Sequence, residues 1–109
     1  MSRTEPPPAS VLLPLLRDAL AREGRIQFPL RGDSMLPTLP LECEIEVVPL
    51  PDELRVGDLV VFALQDTLVA HRLVRRAARL LAHGDNRRVA DPPLLTEQML
   101  GLVSRAFVD

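Results

Sequence analysis

Apolar and polar positions alternate with a period of two along most of this chain, and only once do they fall into helical spacing. Between Ser10 and Gly24, the residues Val11, Leu12, Leu15, Leu16, Ala19 and Leu20 recur on one helical face, opposite Arg17, Asp18 and Arg22. Ser10 is the expected N-cap, Pro14 falls early enough to be tolerated, and Gly24 is the expected stop. Six later segments read as strands: residues 25–30, 43–48, 58–64, 68–75, 78–83 and 100–108. The connectors "PLPDELRVGD" and "GDNRRVADPP" are rich in proline, glycine and aspartate, the residues that favour turns. The pattern predicts a mainly β fold, a small sheet or barrel with one short N-terminal helix. Residues 1–9 read as a flexible Pro-rich tail and 10–109 as a single domain.

Composition narrows the function classes. A chain of 109 residues with 47% hydrophobic content supports one modest core. Only three Phe and no Trp or Tyr are present, so Leu and Val must fill that core. A net charge of -2 argues against a general nucleic-acid binder. The single cysteine, Cys43, excludes an internal disulfide, and its alternating setting "ECEIEV" predicts a buried strand position. All 13 basic residues are arginine, which closes any mechanism that needs a lysine base. The run "VLLPLL" is far shorter than a membrane-spanning helix, and "MSRTEPPPAS" is a poor secretory n-region. A cytoplasmic protein without a transmembrane anchor is expected. The amphipathic helix is expected to pack on the domain; a partner or a membrane surface are the other faces it would suit.

Chemistry centres on "RGDSMLPTLP", residues 31–40. A serine hydroxyl becomes a nucleophile only beside a base and near donors for the oxyanion it creates. Gly32 allows close backbone approach, Pro37 limits motion after Ser34, and the Ser34 N–H is free to face a substrate carbonyl. Gly-Asp-Ser is equally ordinary turn composition, so the serine needs partners elsewhere. Two histidines are available. His71 lies on a strand with Val69 and Leu73 on its face, while His83 sits beside a turn and reads as exposed. Two acids flank the following loop. Asp85 reads as a turn-former and Asp91 is held extended by Pro92, and either suits the task of orienting a histidine. The arginines Arg72, Arg75, Arg76, Arg79, Arg87 and Arg88 read as a solvated face. An acidic-peptide or nucleic-acid contact is the alternative, without the aromatics that a base-stacking platform needs.

Taken together, the segments "GDSMLPTL", "VGDLVVF", "AHRLV" and "GDN" resemble, in order, the boxes of the type I signal peptidase family. The resemblance runs from about residue 28 to the end. It implies that Ser34 is the nucleophile and that His71 occupies the position where most bacterial members carry a lysine, as in the histidine-type branch. Within "GDNRRVAD" it places Asp85 at the first acid and Asp91 at the second, which supports the base, and it makes His83 non-catalytic. It further implies a mostly β fold with an extended substrate strand beside the site. Gly32, Met35 and Pro37 are then substrate-binding positions, the Ser34 N–H belongs to the oxyanion hole, and small side chains precede the scissile bond.

The expectation is a serine endopeptidase that acts on a peptide or precursor protein, without cofactor, metal or nucleic acid. Without a membrane anchor or an extra domain, its expected substrate is specialised, such as the leader of a ribosomally made peptide. A catalytically silent peptide-binding module on the same scaffold is the alternative. A self-cleaving DNA-linked regulator fits less well, since the lysine of that group and a separate DNA-binding domain are both missing. Oligomeric state is left open.

Overall fold

The computed structural model describes residues 7–75 and 80–107. One helix, α1 (Ala9–Glu23), precedes six strands: β1 (Ile26–Arg31), β2 (Glu42–Val48), β3 (Leu59–Leu64), β4 (Thr67–Arg75), β5 (Leu81–His83) and β6 (Met99–Phe107). They form one antiparallel sheet in the order β1-β2-β6-β3-β4-β5. The mainly β architecture with a single N-terminal helix is therefore as the alternation predicts. Described strand ends lie within one residue of the predicted ones except at β5, whose predicted start at 78 and 79 falls outside the described residues. The predicted end of the last strand at Val108, most of the tail, and Arg76 and Arg79 also fall outside them.

Alternation places the core. On β2, Cys43, Ile45 and Val47 are buried while Glu42 and Glu44 face solvent, so Cys43 is the buried strand residue its setting predicts. One apolar layer joins Ile45, Val47, Val61, Ala70 and Leu100 to Leu13 and Leu20 of the helix. On the opposite face, Val60, Phe62, Ala82, Leu94 and Met99 form a second cluster. Between β3 and β4, Gln65 and Asp66 both adopt positive φ, 50° and 63°, as a two-residue hairpin of the twist-matched kind requires.

The helix corrects two expectations. It starts at Ala9, and Ser10 makes no cap. Instead the hairpin turn supplies the missing acceptors: the Ala9 N–H donates to the Asp66 carbonyl at 2.9 Å and the Ser10 N–H to Asp66 Oδ1 at 3.0 Å. A carboxylate from a distant turn thus satisfies the helix N-terminus and complements its dipole. The buried stripe is Ala9, Leu13, Leu16 and Leu20, whereas Val11 and Leu15 are 49% and 63% exposed. With leucines on several sides, spacing alone admits more than one rotation. Arg17 selects among them by donating to the carbonyls of Glu97 (2.5 Å) and Met99 (2.9 Å). The helix packs on the domain, as expected, through a different face.

Candidate active site

Ser34 sits in the loop between β1 and β2. Gly32 turns the chain with φ 127° and its N–H donates to the Leu41 carbonyl at 2.9 Å, which closes the loop at its base. Buried Met35 and Leu39 anchor it in the core. Ser34 is thereby held at the edge of β4, where His71 projects.

His71 is 3% exposed, and its ring meets Phe62 edge-on at 5.6 Å between centroids. Its Nε2 lies 2.9 Å from Ser34 Oγ and its Nδ1 lies 2.5 Å from Asp91 Oδ2. An ionised carboxylate can only accept, so Nδ1 carries the ring proton and the Nε2 lone pair faces the serine hydroxyl. Asp91 is held by its own N–H, which donates to the Ala82 carbonyl at 2.9 Å, and its side chain is 10% exposed. The two prolines that follow keep the chain extended there. Ser34, His71 and Asp91 are thus brought into one hydrogen-bonded line from three separate segments.

Asp85 goes elsewhere. Both of its carboxylate oxygens accept from Arg72, at 2.9 and 2.8 Å, and Oδ2 also accepts from Thr38 Oγ1 at 2.5 Å. The Arg72 hydrogen bonds hold its carboxyl below the ordinary aspartate value, against the opposing effect of burial, with Thr38 adding to the lowering. As a candidate for orienting His71 it is therefore replaced by Asp91; Asp85 instead ties the serine loop to β4. His83, half-buried, donates from Nε2 to the Arg87 carbonyl at 2.6 Å, while the nitrogen bonded to Ser34 Oγ belongs to His71.

The segment after β5 grips the serine loop. The Asn86 N–H donates to the Ser34 carbonyl at 2.6 Å, and Asn86 Nδ2 donates to the Asp33 carbonyl at 2.9 Å. Arg87 Nη2 donates to Asp33 Oδ1 at 2.6 Å, and this hydrogen bond, with the charge of the guanidinium, lowers the Asp33 carboxyl from its ordinary value. The Asp85 N–H points to Met35 Sδ at 3.2 Å. At Gly84 an added Cβ would stand 2.8 Å from the Ser34 carbonyl oxygen, so the two segments touch backbone to backbone. Thr38 had no role in the sequence reading, and Arg72 and Arg87, read there as part of a solvated face, instead pair with Asp85 and Asp33. The adjacency of Arg72 to His71 on a strand was the available signal, because alternation sends it to the opposite face.

Beside the serine runs a groove of about 280 Å³, open mouth included, between β1 and β4. Leu30, Gly32, Met35, Leu39, Val69 and Ala70 line it with Ser34. Of the expected substrate-binding positions, Gly32 and Met35 therefore belong to the groove. Pro37 does not: it is exposed on the serine loop, and Pro40 takes the place at the groove wall. Both walls carry backbone groups without a partner among the described residues. The Gly32–Leu41 hydrogen bond sets the ladder phase on β1, so Gln27, Pro29 and Arg31 turn their backbone groups away from β2. On β4 the Leu73 N–H bonds Asp58 on the β3 side, so Leu68 and Ala70 face outward, beyond the reach of β5, which starts pairing at Arg72.

Comparison with known proteins finds no match: no family model fits the chain, and no curated protein or solved structure is significantly similar to it. Among the described residues no helix is long and apolar enough to cross a membrane.

Proposed function

We propose that this protein is a serine endopeptidase of the signal peptidase-like, histidine-type kind, acting on a peptide or precursor protein. The observation that carries the reading is the continuous line from Ser34 Oγ through His71 to Asp91. In the first half-reaction Ser34 Oγ attacks the scissile carbonyl carbon while His71 Nε2 takes its proton. The imidazolium so formed lies against the Asp91 carboxylate, which stabilises it without taking the proton. The carbonyl oxygen becomes an oxyanion that the Ser34 N–H can meet, since that N–H has no partner among the described residues. The tetrahedral species collapses, the C–N bond breaks, and His71 gives its proton to the leaving amine. Water, deprotonated by the same Nε2, then attacks the acyl-enzyme; the bond between the acyl carbon and Ser34 Oγ breaks, and His71 returns the proton to Ser34 Oγ.

Substrate binding is read from the groove. An extended peptide between β1 and β4 would pair with the open edges at Gln27, Arg31, Leu68 and Ala70, adding a strand to the sheet. Pro29 lacks an N–H on that edge, which also discourages pairing with another copy. A small side chain before the scissile bond is what the signal peptidase resemblance implies, and Gly32 and Met35 are among the residues lining the groove that would receive it.

The deciding experiment maps new termini by mass spectrometry after incubation with a diverse peptide mixture, with Ser34→Ala as control. Cleavage after small residues that the variant lacks supports the reading. Binding of peptides without cleavage in either protein would replace it with a silent peptide-binding module.

A further inference from the structure

Asp33 is held at two points by two consecutive residues of the opposite loop. Its backbone carbonyl accepts from Asn86 Nδ2 at 2.9 Å, and its carboxylate accepts from Arg87 Nη2 at 2.6 Å. The carbonyl of Asp33 and the N–H of Ser34 belong to the same peptide unit. A planar trans peptide points these two groups in opposite directions, so a donor that fixes the carbonyl also fixes the N–H. The Ser34 carbonyl, on the next peptide unit, is fixed in turn by the Asn86 N–H at 2.6 Å. The Leu36 N–H also reaches the Asp33 carbonyl, at 3.2 Å, but Asn86 makes the shorter bond there and is the one residue that holds the peptide planes on both sides of Ser34, while the Ser34 N–H is left without a partner among the described residues.

Building on the serine-peptidase reading, we infer that Asn86 is a positioning residue for the oxyanion hole: through the Asp33 carbonyl it aims the Ser34 N–H at the substrate oxyanion, with the Arg87–Asp33 ion pair holding the same segment from outside. Asn86 does not touch the reacting atoms. Its side-chain amide suits the task because it donates to a carbonyl while its own main chain donates to the next one. Aspartate at this position has the same shape and cannot make the first of these bonds. Gly84, packed 2.8 Å in Cβ terms from the Ser34 carbonyl, keeps the loop close enough for both bonds to form.

The test uses the full chain and a fluorophosphonate, a probe that needs no knowledge of the natural substrate. Ser34 Oγ bonds to phosphorus, fluoride leaves, and the serine proton passes to His71; the phosphoryl oxygen occupies the oxyanion position. Two measurements are made on wild type, Asn86→Ala and Asn86→Asp: the rate constant for labelling Ser34, and the downfield proton resonance of His71 Nδ1–H, which reports the bond to Asp91. Mis-aiming one oxyanion donor is expected to slow labelling about 10²-fold, with the resonance unchanged. Asn86→Asp keeps the side-chain volume and serves if Asn86→Ala does not fold. Labelling at the wild-type rate in a folded variant overturns the inference. Slowed labelling with loss of the His71 resonance also overturns it, because the residue would then merely hold the loop together. A wild type that is not labelled at Ser34 overturns the serine-peptidase reading itself, and the inference with it.

Discussion

His71 Nδ1 stands 2.5 Å from Asp91 Oδ2, whereas Asp85, six residues nearer in the chain, spends both oxygens on Arg72. Two acids that composition leaves equivalent are thus given different work by their neighbours. Asp91→Asn preserves shape but offers Nδ1 an amide, which favours the wrong tautomer, and kcat is expected to fall about 10⁴-fold. Asp85→Asn should leave most of kcat in place and cost on the order of 1 kcal/mol of stability, the pair being only partly shielded from water. Steady-state kinetics and urea unfolding on the two variants separate these effects. Equal losses of kcat would show that the two acids share the task.

In the proposed mechanism Ser34 and His71 act as a unit, so their removal should not be additive. Ser34→Ala and His71→Ala are each expected to lower kcat by roughly 10⁴–10⁶-fold, and the double variant little further. Measured turnover of a peptide found in the cleavage screen checks this. A double variant whose loss equals the product of the single losses would mean that Ser34 and His71 contribute independently.

Gly84→Ala tests the contact between the two loops. The new Cβ would meet the Ser34 carbonyl oxygen at 2.8 Å and Ser34 Cβ at 3.1 Å, distances at which backbone must move. A shift of about 1 Å at a nucleophile costs on the order of 10²-fold in rate. Activity should therefore fall by that order, while thermal unfolding shows an overpacking cost of about 1–3 kcal/mol. Unchanged kinetics would mean that the loop yields without carrying the serine with it.

Gly101, on β6, gives the corresponding test away from the site. A Cβ there would collide with the Val48 carbonyl and press Val47 Cγ1 at 2.7 Å, beneath Leu20 of the helix. Gly101→Ala is expected to destabilise by about 3 kcal/mol or more, as overpacking at a backbone contact does. Urea unfolding of the variant measures the loss, and a midpoint equal to that of the wild type would show that β2 and β6 can separate without cost.

Strands were legible because period-two alternation survives single-residue errors: Cys43, Ile45 and Val47 could face only one way once Glu42 and Glu44 faced the other. Helix rotation was not, because Val11 and Leu15 are as apolar as Leu13 and Leu16, and the deciding contact is Arg17 with carbonyls 80 and 82 residues away. Ser34 and His71 were legible as candidate chemistry because serine and histidine are scarce in the chain, whereas Asp91 stood out only as one of two acids on the loop after the histidine strand. The choice between Asp91 and Asp85 was not fixed by the residues themselves. It depends on Arg72 and Thr38 reaching Asp85 first, which is a fact of register between β4 and two loops. The Asn86 grip was equally hidden, since a side chain bonding a distant backbone carbonyl leaves no pattern in spacing.

The Arg72–Asp85 pair also predicts how stability responds to acid. Hydrogen bonds from Arg72 hold the folded-state carboxyl below its ordinary value of 3.8, so the unfolded chain binds more protons than the folded one in the interval between. Stability from this group is therefore fully present above the unfolded value and is lost as pH falls through the lower, folded one. Asp33 shifts in the same direction through Arg87, but that pair is open to solvent and screened by salt. Urea midpoints measured from pH 6 down to pH 3 should fall for the wild type. In Asp85→Asn they should fall less steeply, because the variant has no carboxyl to protonate at that site. At 1 M salt the Asp33 share should fade while the more shielded Asp85 share persists. Identical pH slopes for wild type and Asp85→Asn would show that the pair contributes no proton linkage, and the serine loop would then be held to the segment after β5 by the Thr38 and Asn86 bonds alone.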